Sequence, residues 1–334
     1  MKRVLATAFI IVGFIGSSIS GNHPNTEKKV SHKAIAWDDA SPGDWRKSLK
    51  KIAIASSSDK KIQRAFYFKA IGEDKRPLLV SLHTWSGDYR QKDPLAEFAV
   101  KNNWNYLHPD FRGPNCTKDA CLSEKAVKDI DDAIQYAITG GNVDKSNIFI
   151  VGVSGGAYAT IGYFLKGKYT AKAYMAWAPI TDLVSWYWQS KNRKSKYAQD
   201  ILKCTSSSNG ALDVKEAKKR SPIYWKVTRR DNSILEIYAG INDGYTGSVP
   251  ISHSILFFNR LVNVYGLKEM RVPESDIVKL LTKSIENIPK LGKIGNRKVL
   301  YVKNTPAISL VIFDGTHEML PEYCFERIKK IAEQ

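Results

Sequence analysis

The chain has 334 residues, 43% of them hydrophobic, which fits one sizeable core with an insertion better than two equal domains. It carries 51 Lys and Arg against 33 Asp and Glu, a formal charge of +18, which points to an anionic surface or polymer as a partner. The four cysteines, Cys116, Cys121, Cys204 and Cys324, form no Cys-x-x-Cys and have no His-rich companion cluster, so no metal site and no cofactor are expected.

Residues 1–20 read as a signal peptide. Lys2 and Arg3 form a basic start, Val4 to Ile15 a short apolar run, and Ser18-Ile19-Ser20 a small-residue stretch before Gly21. The run is shorter than the ~20 residues a membrane helix needs, which weighs against an uncleaved anchor, and no later stretch has the length and apolarity of a span. A secreted or periplasmic protein is expected, and export argues against nucleic acid as the anionic partner. In an exported chain four cysteines permit disulfides in three pairings. Cys116 and Cys121 are close enough to join easily but under strain; the sequence does not choose.

Residues 21–60 are polar and lysine-rich, and read as a lead-in to one domain over 61–334. Ile62 to Ile71 alternates as a half-exposed strand does. Short continuous apolar runs follow at Pro77 to His83, Trp104 to His108, Asn147 to Gly152, Ala173 to Ala178, Ile234 to Ala239 and Ala307 to Phe313. Between them lie helical patterns at Lys125 to Ile138, with Ser123 as cap, and at Gly156 to Leu165, Ile255 to Tyr265 and Pro321 to Ile331. This alternation predicts an α/β protein with a mostly parallel central sheet and helices on both faces. Residues 183–230 break it. They hold 12 bases against 3 acids, including the run Lys218-Lys219-Arg220, and the aromatics Trp186, Tyr187, Trp188, Tyr224 and Trp225. A long insertion after a strand end overhangs the ligand crevice of an open α/β sheet, so this segment is expected to be a cap.

Gly152-Val153-Ser154-Gly155-Gly156 matches Gly-x-Ser-x-Gly. A strand signal precedes it and a helix signal follows, the context of a nucleophile elbow, in which the serine occupies a strained strand-to-helix turn between small neighbours. Ser154 is the candidate nucleophile. The Gly155 amide opens the helix and would donate to an oxyanion. A second donor is expected from the turn after Pro77 to His83, where Trp85 is preferred to Thr84. His83 precedes the nucleophile and reads as a residue that shapes this turn. Of the histidines after Ser154, His253 opens a helix and His317 follows the final strand. The hydrolase order of serine, acid, histidine selects His317 as general base and Asp243, just past Ile234 to Ala239, as the carboxylate that orients it. Asp182 and Asp231 are alternative acids at the cap margins.

These stretches together resemble the catalytic domain of the prolyl oligopeptidase-type α/β hydrolases, in particular single-domain exported members. Pro109-Asp110-Phe111-Arg112-Gly113 is similar to the family's Arg-Gly turn, Val143 to Gly156 to its lead into the elbow, and Ala239 to Gly244 and Gly315 to Glu318 to its acid and histidine turns. The resemblance implies an α/β-hydrolase fold, acyl-enzyme chemistry and a substrate role for Arg112; Trp186 and Trp188 of the cap are added as candidate substrate-binding aromatics. Family peptidases often carry tyrosine after the nucleophile, where this chain has Gly155, and a large N-terminal β-propeller, for which too few residues precede the sheet. The expected activity is therefore that of an esterase on acylated carbohydrate or a similar ester. A peptidase and a non-catalytic glycan-binding protein on the same scaffold stand as alternatives, and an anionic polysaccharide is a candidate partner.

Overall fold

The strand that ends at the Gly-x-Ser-x-Gly sequence, β5 (Val143–Val153), lies in the middle of a ten-stranded sheet. The computed structural model describes Trp37 and residues 39–230, 232–285 and 291–334. The expected signal peptide, residues 21–36 and 38 of the lead-in, and Asp231 lie outside the described residues. Around β5 the parallel partners are β4 (Asn105–Pro109), β3 (Arg76–Leu82), β6 (Ala173–Trp177), β7 (Ile234–Gly240) and β10 (Ile308–Phe313), in the order β4-β3-β5-β6-β7-β10. Antiparallel strands finish both edges: β1 (Lys50–Ala55) and β2 (Ile62–Phe68) beyond β4, β9 (Arg297–Asn304) and β8 (Lys293–Ile294) beyond β10.

Alternation along the central strands divides the core between the two faces. Leu78, Val80 and Leu82 of β3 and Ile148 and Ile150 of β5 pack in one buried cluster. Leu79, Phe149, Val151 and Val153 pack in the other. Helices cover both. On the first face lie α2 (Glu124–Gly140), α3 (Gly155–Lys166) and α7 (Ser252–Val264); on the second lie α1 (Leu95–Lys101) and α9 (Pro321–Ala332). Ser123 caps α2 as expected: its hydroxyl accepts the Ala126 N–H at 3.1 Å.

Two edges depart from the sequence reading. Residues 50–55 belong to the sheet, so the polar lead-in does not extend to residue 60. The strand reads Lys-Lys-Ile-Ala-Ile-Ala, and its lysines face solvent at the sheet edge, where charge is common; a pattern based on apolar runs takes such a strand for a tail. The same holds for β9, whose sequence is broken by Lys and Arg. Helix α8 (Glu274–Thr282) was likewise not anticipated.

The insertion after β6 is helical throughout its regular structure, with α4 (Leu183–Asn192), α5 (Tyr197–Cys204), α6 (Val214–Lys219) and a 3₁₀ turn at Pro222–Tyr224. Among the described residues no helix is long and apolar enough to cross a membrane, and no group of three or more His, Cys, Asp or Glu is placed to hold a metal ion.

Candidate active site

Ser154 sits between β5 and α3 with φ 57° and ψ −122°, a left-handed conformation that a non-glycine residue adopts only at a cost. The turn is sharp enough that a β-carbon on Gly152 would lie 2.2 Å from the Gly156 carbonyl carbon, so the motif glycines are demanded by space. The Ser154 N–H donates to the Trp177 carbonyl at 2.9 Å, which anchors the turn to β6. Tyr158 N–H returns to the Ser154 carbonyl at 2.9 Å, the first turn of α3. Gly155 is the first residue of that helix, where backbone N–H groups have no partner within the helix.

The turn after β3 packs directly on Gly155. A β-carbon there would lie 2.2 Å from the Trp85 nitrogen. Any side chain at 155, tyrosine included, would displace this turn, which accounts for the departure from the family pattern. Gln91 decides which amide of the turn is available. Its Oε1 accepts the Thr84 N–H at 2.9 Å, so that donor is spent, and Trp85 is left as the preferred second donor. His83 braces the same peptide. Its Nδ1 lies 3.0 Å from the Thr84 carbonyl and its Nε2 2.9 Å from the Asp110 carbonyl, and its ring stacks on Phe111 with centroids 3.9 Å apart. The Thr84 carbonyl and the Trp85 N–H belong to one planar peptide unit, so holding one aims the other.

Asp243 follows β7 and His317 follows β10, neighbouring strands whose ends are joined by Ile241 N–H to the Phe313 carbonyl and Asn242 N–H to the Gly315 carbonyl, both 2.9 Å. His317 Nδ1 lies 2.7 Å from Asp243 Oδ2, and both residues are buried. Asp243 Oδ1 accepts the N–H groups of Gly244 at 2.9 Å and Val249 at 3.0 Å. A carboxylate can only accept, so Nδ1 bears the proton and Nε2 is the basic nitrogen of the neutral ring. Ser154, Asp243 and His317 all follow parallel strands of one sheet and so stand at its C-terminal edge, where ligands bind in open α/β sheets.

The alternatives are occupied elsewhere. Asp182 caps α4, accepting from Val184 N–H at 2.9 Å and the Ser185 hydroxyl at 2.7 Å. His253 Nδ1 accepts the Thr181 N–H at 3.2 Å, which places its proton on Nε2, 2.9 Å from Gln189 Oε1. Burial pushes it down to about 4 against a weaker opposing pull from Asp182.

Two expected substrate-binding residues are corrected. Arg112 is not a free cation. Its side chain is 4% exposed, and every guanidinium nitrogen donates within a cluster of Ser56, Asp59 and Asp129. It joins the β1–β2 hairpin to α2. Trp186 presents no surface: its indole N–H donates to the Ser248 carbonyl at 2.9 Å, and its ring meets Trp85 edge-on at 4.7 Å. Trp188 is 51% exposed, with Lys191 Nζ 5.0 Å from its ring.

Nothing in the residue pattern marks the contacts by which the cap grips the site. Arg193 donates to the carbonyls of Gly244 and Gly247 at 3.0 Å and of Ser248 at 2.8 Å, clamping the loop whose two ends hold Asp243 Oδ1. Lys196 Nζ donates to the Ser86 hydroxyl, beside Trp85, at 3.0 Å. An arginine in a lysine-rich run carries no mark that separates it from its neighbours.

Fold and site together define a serine hydrolase of the α/β-hydrolase fold. Residues 119–274 match the Prolyl oligopeptidase family. No curated protein matches the chain. Among solved structures it is similar to the uncomplexed acylaminoacyl peptidase of Pyrococcus horikoshii, with TM-score 0.57 and 16% identity over 85% of this chain and 40% of that one. It is similar to dipeptidyl peptidase 4 of Porphyromonas gingivalis, with TM-score 0.56 and 16% identity over 86% of this chain and 35% of that one. An esterase of Pyrococcus furiosus matches with TM-score 0.54 and 15% identity over 88% of this chain and 95% of that one. The chain spans about two fifths of the length of the acylaminoacyl peptidases it matches.

Proposed function

We propose that the chain is an exported esterase that forms an acyl-enzyme on Ser154 and acts on acylated carbohydrate or a similar ester. The observation that carries the reading is the 2.7 Å pair of His317 Nδ1 and Asp243 Oδ2, at the sheet edge where Ser154 occupies its strained turn. His317 Nε2 takes the Ser154 proton as Oγ attacks the ester carbon, and Asp243 stabilises the resulting imidazolium. The amides of Gly155 and Trp85 hold the oxyanion. His317 then protonates the departing alkoxide, water enters under the same base, and the acid leaves Ser154 unmodified. Ester cleavage is favoured over peptide cleavage because the similarity to an esterase spans 95% of that chain, whereas the peptidases are matched over 40% or less of theirs. The residues 1–20 pattern supports export, to the periplasm or the medium. Trp188 and the exposed bases of the cap supply an aromatic platform and a positive rim for an anionic polysaccharide.

A fluorophosphonate probe should label the protein at Ser154, and Ser154→Ala should lose both the label and at least ~99% of p-nitrophenyl acetate turnover. Retention of both would mean that another residue is the nucleophile, whereas a wild-type protein that takes up no label and turns over no ester would favour a glycan-binding protein on this scaffold. A panel of acetylated sugars, feruloyl esters and aminoacyl amides then separates esterase from peptidase: faster turnover of the amides would replace the first reading with the second.

A further inference from the structure

Cys121 lies in the loop before α2, and Cys204 ends α5 of the cap. They are 83 positions apart in the chain, yet their sulfurs are 2.9 Å apart and both residues are completely buried. Non-bonded heavy atoms rest at about 3.5 Å or more, and a disulfide bond is ~2.05 Å long, so closing the bond asks each sulfur to move by only a few tenths of an ångström. The other two cysteines are placed differently. Cys324 is buried on α9, in the core cluster of the opposite sheet face, and Cys116 is half-buried with no sulfur within hydrogen-bond reach. Of the pairings that the sequence left open, including the neighbouring Cys116 and Cys121, only one is brought together here among the described residues. We propose that Cys121 and Cys204 are a cross-link site, a disulfide that ties the cap to the body of the hydrolase.

The surroundings suit the chemistry. Burial pushes the Cys121 thiol up, but hydrogen bonds from Cys204 and Tyr158 and the Arg220 guanidinium outweigh it and hold the thiol below its ordinary value. Cys204, buried and facing Cys121, is pushed well up. In the folded protein Cys121 is therefore the more acidic thiol of the two. One of the two thiolates attacks a disulfide donor of the glutathione class, forming a mixed disulfide and expelling one glutathione thiol. The other cysteine then gives up its proton and attacks the first sulfur, and a second glutathione leaves. The two cysteines lose two electrons and two protons, and oxidised glutathione becomes two reduced molecules. The step belongs to folding in an oxidising compartment, before both sulfurs are buried. The same loop is already gripped from the cap: Arg220 Nη1 donates to the carbonyls of Ala120 at 3.1 Å and Cys121 at 3.3 Å. The bond would make permanent the contact between α5 of the cap and the loop before α2.

The test needs neither activity nor export. The full chain is unfolded under reduction, refolded in a glutathione redox buffer, alkylated after denaturation and mapped by peptide mass spectrometry. The expected result is one linked peptide pair containing Cys121 and Cys204, with Cys116 and Cys324 alkylated. The oxidised protein should melt higher than the reduced one by about 5 °C or more, since a loop of this length is strongly constrained in the unfolded chain. Cys204→Ser should melt at one temperature in both buffers. Alkylation of both Cys121 and Cys204 in the oxidised sample, linkage through Cys116 or Cys324, or equal melting of the two wild-type forms would overturn the proposal.

Discussion

Gly155 and Trp85 touch through their backbones: a β-carbon on Gly155 would stand 2.2 Å from the Trp85 nitrogen and 2.4 Å from its α-carbon. The residue after Ser154 thus fixes how near the Trp85 amide, the proposed second oxyanion donor, can come. Gly155→Ala must push the Thr84–Trp85 peptide outward, because the atom it meets is backbone. The loss of one oxyanion donor costs about 10²–10³ in kcat. Hydrolysis of p-nitrophenyl acetate by Gly155→Ala should fall by that amount with KM little changed and the circular dichroism spectrum intact. Wild-type kcat in this variant would remove the Trp85 amide from the oxyanion hole.

The two histidines after Ser154 predict opposite outcomes. His317→Gln leaves Asp243 without its imidazole partner and should reduce kcat by at least ~10³, the scale of triad losses. His253→Gln alters a buried bond to Gln189 and should keep most of the activity. The wild-type rate should rise with pH through one ionisation in the histidine range, and His253 is not its source, since burial pushes that ring down to about 4. A His253→Gln enzyme that loses this pH limb would reverse the assignment.

How much of this was legible in the sequence follows from where each signal resides. The placement of Ser154, Asp243 and His317 was legible because each sits at a strand end in a fixed chain order, and both the strands and the order are one-dimensional properties. The apolar run from Ala307 to Phe313, just before the turn that carries His317, needed no partner to be read. Arg112 was misread because a charged residue in a family-like turn looks the same whether it faces a substrate or Asp59 and Asp129. The spent Thr84 amide depends on the Gln91 side chain folding back across seven residues. Trp186 and Arg193 act through carbonyls at 244–248, more than fifty residues away, and carbonyls leave no trace in residue type.

The Arg193 clamp is open to test. Arg193→Met retains the aliphatic stem and loses three hydrogen bonds to the loop that holds Asp243 Oδ1. Small displacements of a triad member cost up to about 10²-fold, so kcat should fall roughly ten- to hundredfold while Ser154 remains reactive to a fluorophosphonate at a reduced rate. Lys194→Met, at the exposed neighbour, should leave kcat unchanged. Equal behaviour of the two variants would make Arg193 a surface residue without influence on the triad.

Stability should depend on pH through two buried rings. Burial pushes His108 down to about 4, despite Asp93 at 3.8 Å, and does the same to His253. In the unfolded chain both titrate near ~6.5. Between pH ~6.5 and ~4 the unfolded state therefore binds two protons that the folded state refuses, and stability falls as pH is lowered through that window. Urea unfolding across this range should show the decline, and neither ring should titrate by NMR above pH ~5. A histidine signal from either position with a midpoint above 6 would contradict the burial argument.

The cap's charge makes a prediction that separates a functional rim from an ordinary basic surface. The Lys218-Lys219-Arg220 run divides in the structure. Arg220 is buried, bonded to Glu216 and to the Ala120 and Cys121 carbonyls, whereas Lys218 and Lys219 are exposed. Lys191 lies over the Trp188 ring and Lys218 over Tyr224, at 5.0 and 5.3 Å from the ring centroids. Charge reversal must therefore spare Arg220, whose loss would release the cap, and fall on Lys191, Lys215 and Lys218. Screening lengths shrink from ~30 Å at 0.01 M salt to ~8 Å at physiological ionic strength, so attraction between this rim and an anionic chain weakens over that interval. For an acetylated uronic polysaccharide, kcat/KM should fall severalfold across it, while p-nitrophenyl acetate, which is neutral, should show no change. The triple Glu variant should lower kcat/KM for the polymer at low salt and flatten its salt dependence, with the small ester untouched. If both substrates respond to salt alike, or the variant leaves the polymer's dependence as it was, the bases of the cap serve solubility and no substrate.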